Sequence, residues 1–351
     1  MEAALANASR ILPIVLTAHG ASAGNNMYWP EVYTNQPITD ASLSNPYTDT
    51  PAPKTFGNVT PLDPQLFLSI NEYAKEFLSG ERSGKYTPLE VAQWLEDYAA
   101  EGAKQLEAAA GRSTGKKKAE YLRMATDVTI QVGLGRFFGA KLRAGVLYAV
   151  FYQTGDRSAL EEALKSYRLA RAHWAGLAET ARTVYVADIS VGEHKWLRGH
   201  WQDRIPALDE DVNNMAKKLA EYGESPLPNN RTKLAVQEAL GRSKRSIATI
   251  HHQKPDGFAK GSPLTLDFAF EKTPKSAVLF YRHISQAERY ENTGLLMNGS
   301  KGQAVIPAEY TNSHYSIEYY LEVRNAADDA WLFPGFNSDL ASQPYFSIQK
   351  A

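Results

Sequence analysis

The chain contains no cysteine. That excludes disulfides, thiolate metal sites and a cysteine nucleophile, and it fits any compartment. No apolar run approaches the roughly 18 residues of a membrane-crossing helix. Met1-Glu-Ala-Ala-Leu-Ala lacks the basic start and long apolar core of a signal peptide. Charge of one sign is missing too. The net charge of -1 gives no reason to expect nucleic acid or an acidic membrane as partner. The composition is that of a soluble protein, periplasmic or secreted if it is part of a larger exported one.

At 351 residues the chain is too long for one average domain, so two or three are expected. Ile11-Leu-Pro-Ile-Val-Leu-Thr17 is a short branched apolar run and reads as a buried strand. It leads into a polar loop from Ala18 to Asn26 and then Met27 to Asn35. A buried strand needs neighbours, and the following 220 or so residues read mostly as helix. Residues 1–62 are therefore expected to be an irregular amino-terminal segment. Either a strand sits alone against helices, or the chain lost the sheet it belonged to.

Residues 63–222 predict an antiparallel helical bundle. Asp63-Pro64 reads as an N-cap with a first-turn proline, and that helix should end near Gly80. Thr87-Pro88-Leu89-Glu90 is a capping box. A long helix from about Ala119 to Thr154 should close at Gly155. Further helices run from about Ser158 to Val186 and from Asp203 to Tyr222. Residues 223–262 read as a linker with one short helix near Thr232 to Leu240. From 263 to 351 the period changes to two. About seven strands, including Leu264–Phe270, Ala277–Tyr281 and Tyr315–Val323, predict an immunoglobulin/fibronectin-like β-sandwich. Asn298-Gly299 and Lys301-Gly302 read as turns.

Several motifs resemble chemistry without its context. Gly111-Arg-Ser-Thr-Gly115-Lys116 has the wrong spacing for a phosphate loop and follows a helix. Gly133-Leu-Gly135-Arg-Phe-Phe-Gly139 lies inside a helical pattern, where glycines permit close packing rather than dinucleotide binding. His251-His252 has no carboxylate or histidine set at metal-ligand spacing and reads as an exposed linker pair. No metal or cofactor is expected.

Two constellations carry a functional reading. In Tyr28-Trp29-Pro30-Glu31, after the His19 loop, a ring beside a carboxylate suits a sugar: the ring takes the apolar face and the acid takes hydroxyls or protonates an oxygen. The bland alternative is that Trp29 plugs the bundle and Glu31 is solvated. The second is Gly192 to Arg204, with His194, Trp196, His200, Trp201, Asp203 and Arg204 in an irregular link. Here Asp203 also suits a helix cap, Arg204 a partner of Glu210 or Asp211, and the aromatics a staple. Burial of Ile14, Val15 and Leu16 should press the amino-terminal loop onto the bundle. That would gather Trp29, Trp196 and Trp201, with Glu31, His194, His200 and Asp203 at the rim.

The order of parts resembles the carboxyl-terminal half of a bacterial multidomain glycoside hydrolase-like protein. There a catalytic (β/α) barrel precedes a helical domain and a β-sandwich. Tyr28-Trp29-Pro30-Glu31 is similar in kind to the Trp-plus-Glu loop that ends the last barrel strand of hexosaminidase-like enzymes. Gly192 to Arg204, and Pro334-Gly335-Phe336 with Gln343-Pro344-Tyr345-Phe346, look like family signatures. The resemblance implies Glu31 as the catalytic acid, and His19, Tyr28, Trp29, His194, Trp196, His200, Trp201, Asp203 and Arg204 as substrate-binding residues. It implies an oligosaccharide or polysaccharide ligand and an upstream catalytic domain, with residues 1–62 as the remnant of its barrel. Only one carboxylate of the usual pair is assigned, so little activity is expected from the chain alone. The rival expectation is a non-enzymatic protein-interaction module.

Overall fold

Residues Ile11–His19 form a helix, not the expected buried strand. A strand without partners leaves its peptide groups unpaired, whereas a helix satisfies them within the segment. Pro13 falls in the first turn, where no intrahelical bond needs its missing N–H. The computed structural model describes residues 1–20, 31, 35–40, 55–111, 118–189, 199–223, 229–245, 247–285 and 287–350. They fall into two units, 1–80 with 86–243, and 81–85 with 244–351.

The first unit is helical: α1 (Glu2–Ala8), α2 (Ile11–His19), α3 (Ile70–Ser79), α4 (Pro88–Ala110), α5 (Lys118–Thr154), α6 (Arg157–Arg182), α7 (Ile205–Glu221) and α8 (Asn230–Leu240). Helix α5 is the axis of the unit and packs on α1, α2, α3, α4, α6 and α8. Its sequence says why. From Val128 to Phe151 it is apolar on nearly every side, and it is buried accordingly. Close approach needs small residues at the crossings. A Cβ on Gly135 would lie 2.9 Å from Ile11 Cδ1 and 3.0 Å from Ala99 Cβ, so the glycines of Gly133 to Gly139 serve packing, as the sequence indicates.

The capping signals hold in part. Thr87 Oγ1 accepts from Glu90 N at 3.1 Å, and Glu90 Oε2 accepts from Thr87 N at 2.9 Å. Gly155 closes α5 with φ of 70°. Asp63-Pro64 does not open α3. The chain there turns, with Asp63 O accepting from Leu66 N and Phe67 N. Leu66 and Leu68 then pair with Tyr86, so α3 begins only at Ile70, behind a Ser69–Glu72 capping box. Gly111 to Gly115 lies largely outside the described residues.

The second unit is β-rich. Its strands are β1 (Ile250–His251), β2 (Gly257–Phe258), β3 (Leu264–Phe270), β4 (Ser276–His283), β5 (Glu291–Gly294), β6 (Leu296–Asn298), β7 (Lys301–Ile306), β8 (Ile317–Arg324), β9 (Ala330–Phe333) and β10 (Phe346–Lys350), with a short helix α9 (Ala308–Thr311) after β7. The stretch 223–262, expected as a linker, carries α8, β1 and β2. One sheet has the order β1-β3-β7-β6, the other β2-β10-β8-β4-β5 with β9 also beside β8. Their inner faces share one core, with Leu266, Phe268 and Phe270 from the first and Leu279, Tyr319 and Leu321 from the second. Asn298-Gly299 makes the β6–β7 turn, with Gly299 at φ of 61°, but Lys301-Gly302 belongs to β7.

Strand β8 alternates in sequence yet is buried on both faces. Its outer Glu318 pairs with buried Arg282, and Tyr290 donates to the same carboxylate at 2.8 Å. The short segment 81–85 belongs to this unit. Gly84 N donates to Glu322 Oε2 at 3.0 Å, and Arg245 donates to the carbonyls of Gly84 and Lys85.

Candidate functional site

The helical unit contains a buried polar cluster that includes five of the expected site residues. Trp201 begins a 3-10 turn, Trp201–Arg204, and its Nε1 donates to Glu31 Oε1 at 3.0 Å. Its carbonyl accepts from Trp174 Nε1 at 2.8 Å, and the ring of Tyr185 meets its ring edge-on at 5.4 Å. Glu31 and Trp201 are 5% and 6% exposed. They meet, but inside the protein rather than at a rim. His200 and Arg204 are buried as well. Asp203 is exposed and caps the turn, its Oδ2 accepting from His200 N at 2.7 Å.

Lys141, which the sequence reading passed over, and Asp211, named there only as a partner for Arg204, complete this cluster. Lys141 on α5 is fully buried. Its ammonium donates to Asn35 Oδ1 and to the carbonyl of Gln36, and it lies over the rings of Phe56, Phe137 and Tyr167. Burial lowers its pKa to about 7; Asp211 opposes the shift and Arg204 adds to it. Asp211 on α7 accepts from Ile38 N at 2.7 Å, Thr39 N at 3.1 Å, Thr39 Oγ1 at 2.6 Å and Tyr167 OH at 2.6 Å. Helices α5 and α7 thus hold residues 36–39 through side chains aimed at backbone, and Tyr167 of α6 braces the Asp211 carboxylate. His19 joins this interior. Its ring packs 4.0 Å from Phe56, and burial followed by the charge of Lys141 pulls its pKa down to about 3. It is a neutral, packed imidazole. A lysine amid the apolar residues of α5 was the signal that could have revealed the cluster.

The other expected residues, Tyr28, Trp29, His194 and Trp196, lie outside the described residues. The arrangement of Trp29 with Trp201 is therefore not part of this geometry.

An open concave surface lies elsewhere, in the β unit. A groove of about 1390 Å³ runs over the outer face of the β1-β3-β7-β6 sheet. Strand registers set its floor. His251 is opposite Ala269, Ala269 opposite Lys301, and Lys301 opposite Asn298. One step along, Asp267 faces Gln303, and Gln303 faces Leu296. Gln303 Nε2 donates to Asp267 Oδ1 at 2.8 Å. The wall is the 252–256 segment with Phe333, Pro334 and Phe346. It is held by His252, which stacks on Phe268 at 4.2 Å and bonds Asp267 O and Tyr319 OH. His251 and His252 are thus not an exposed linker pair: one ring is on the sheet surface and the other plugs the wall. Pro334 and Phe346, from the two carboxyl-terminal signature segments, line the groove. Alternation in β3 and β7 marks these outward positions, but sequence does not show that they share a concave face.

No helix among the described residues is long and apolar enough to cross a membrane. No protein-family model and no curated protein sequence matches the chain. Among solved structures, a GH138 enzyme targeting pectin rhamnogalacturonan II aligns with 62% of this chain at 14% identity and a TM-score of 0.47. The aligned part is 31% of that enzyme's chain, so the likeness is a distant one to part of a glycoside hydrolase.

Proposed function

We propose that this chain is an ancillary, carbohydrate-binding portion of a glycoside hydrolase-like protein, working beside a catalytic domain and turning over little by itself. The observation that carries this reading is the open groove of the β unit. It combines carboxylate, amide, ammonium and imidazole groups with aliphatic and aromatic wall residues. Such a mixture meets both the hydroxyls and the C–H faces of a sugar. Glu31 fits the low-activity half of the reading. It is buried and engaged by the Trp201 indole, whereas a glycosidic acid must reach the substrate oxygen.

A second reading is a protein-interaction module. Exposed Leu296 and Val305 on the same sheet favour it, because aliphatic surface suits a protein partner. Native affinity electrophoresis through gels cast with soluble polysaccharides, run beside an aryl-glycoside assay, separates the readings. Retardation with negligible turnover supports the ancillary role. Unretarded migration in every gel favours the protein module, and robust turnover abolished by Glu31→Gln overturns the non-catalytic assignment.

A further inference from the structure

We propose that the sheet face of the β unit holds a subsite for a neutral glycan, with a sugar ring seated over Ala269 between His251 and Lys301. This rests on the carbohydrate-binding reading above and adds the place and the ligand class. His251, Ala269 and Lys301 stand side by side on three adjacent strands. Adjacent strands lie about 4.8 Å apart, so the outer two backbones are separated by roughly 10 Å. Ala269 fills the centre with only a methyl group, leaving a recess between two long side chains. Asp267 and Gln303 stand two residues along the same strands, roughly 7 Å away.

The charges select the ligand. Lys254, in the groove wall, donates to the carbonyl of Ser347 at 2.9 Å and is committed there. Lys301, the cation beside the recess, has a carboxylate of opposite sign, Asp267, diagonally across on the neighbouring strand. An anionic chain meets Asp267, and a cationic one meets Lys301. A hydroxyl both donates and accepts, so it satisfies an ammonium, a carboxylate and an amide together. The Asp267–Gln303 hydrogen bond fixes the two side chains and leaves Asp267 Oδ2 and Gln303 Oε1 as a preset pair of acceptors. Adjacent sugar hydroxyls can donate to both. These rows carry no Trp or Tyr, so hydrogen bonding rather than stacking supplies the selectivity, and the affinity is modest.

The test uses the full chain against soluble β-glucan, xylan and galactomannan as neutral probes, with polygalacturonate and alginate as acidic ones. Calorimetry should show binding to at least one neutral probe that changes little between low and moderate salt. Gln303→Leu and Ala269→Ile should each weaken it by roughly three- to tenfold at unchanged Tm. Neutral binding that both variants leave intact overturns the subsite but keeps the carbohydrate reading. Binding only to acidic probes, abolished by salt, overturns the neutral class. Binding to none of the five overturns the carbohydrate reading itself. Amide shifts of the labelled wild-type chain give a readout independent of variant folding. They should move at 251, 267, 269, 301 and 303, and shifts confined to other residues overturn the placement.

Discussion

Trp201 donates its indole N–H to Glu31 Oε1 at 3.0 Å, across 170 residues of chain. A carboxylate and a ring that sequence patterning nominates as sugar contacts therefore satisfy each other in the interior. Glu31→Gln keeps an oxygen acceptor for the indole and should shift Tm little. Glu31→Ala removes that acceptor and should destabilise by about 1–3 kcal/mol, the usual consequence of a buried donor losing its partner. Chemical denaturation of the two variants checks this; equal stabilities would show that the hydrogen bond contributes nothing.

Lys141 and His19 make stability depend on pH in a defined direction. The folded pKa of Lys141, about 7, lies below its ordinary value of 10.5. Between these values the unfolded chain holds more protons, so stability should rise with pH, by up to about 1.4 kcal/mol per pH unit. His19 has a folded pKa of about 3 against an ordinary 6.5, so its contribution is lost as pH falls from 6.5 towards 3. Lys141→Met should flatten the alkaline limb, and His19→Gln the acidic one. Thermal denaturation across pH 4 to about 10 reads both limbs.

Two glycine substitutions should move stability in opposite directions. Gly135→Ala places a Cβ against Ile11, Ala99 and the carbonyl of Leu95, all at about 3 Å. It should destabilise by about 1–3 kcal/mol through overpacking. At Gly176, in α6, an added methyl group would meet nothing within 4 Å. Gly176→Ala should stabilise by about 0.5–1 kcal/mol through helix propensity. The sign of each Tm change decides the matter.

The Arg282–Glu318 pair is buried on the outer face of β8. Arg282→Met alone leaves a buried carboxylate and should destabilise by about 3–5 kcal/mol. Arg282→Met with Glu318→Leu should recover much of that loss, because the second change removes the stranded charge. A double-mutant cycle by urea unfolding measures the coupling.

The order of a helical region followed by a β-rich one was legible because its signals are local. The Thr87–Glu90 box and Gly155 fix helix ends, and alternation in β3 and β8 marks strands. Ile11–Thr17 misled because a short apolar run has no decisive period, and the choice between strand and helix depends on partners that sequence does not display. Asp63-Pro64 misled in another way. It is a good cap, but pairing of Leu66 and Leu68 with Tyr86 overrides it. At the candidate sites, Trp201 and Glu31 were visible as residues, but their hydrogen bond was not, since the expected docking rested on a strand and put Glu31 at an open rim. Their burial was not visible, since exposure belongs to the whole packing. The groove escaped for a related reason. His251, Asp267 and Lys301 are ordinary surface residues until strand registers place them on one face.

Residues 81–85 have a consequence for assembly of the chain. Gly84 and its acceptor Glu322 are 238 residues apart, and Arg245, which grips Gly84 and Lys85, follows them by about 160 residues. During synthesis this pentapeptide emerges long before the strands that hold it. The β unit is therefore discontinuous in the gene, and a fragment starting at Lys244 lacks one of its own pieces. Supplying 81–85 as a synthetic peptide to that fragment would be a complementation experiment written into the order of translation.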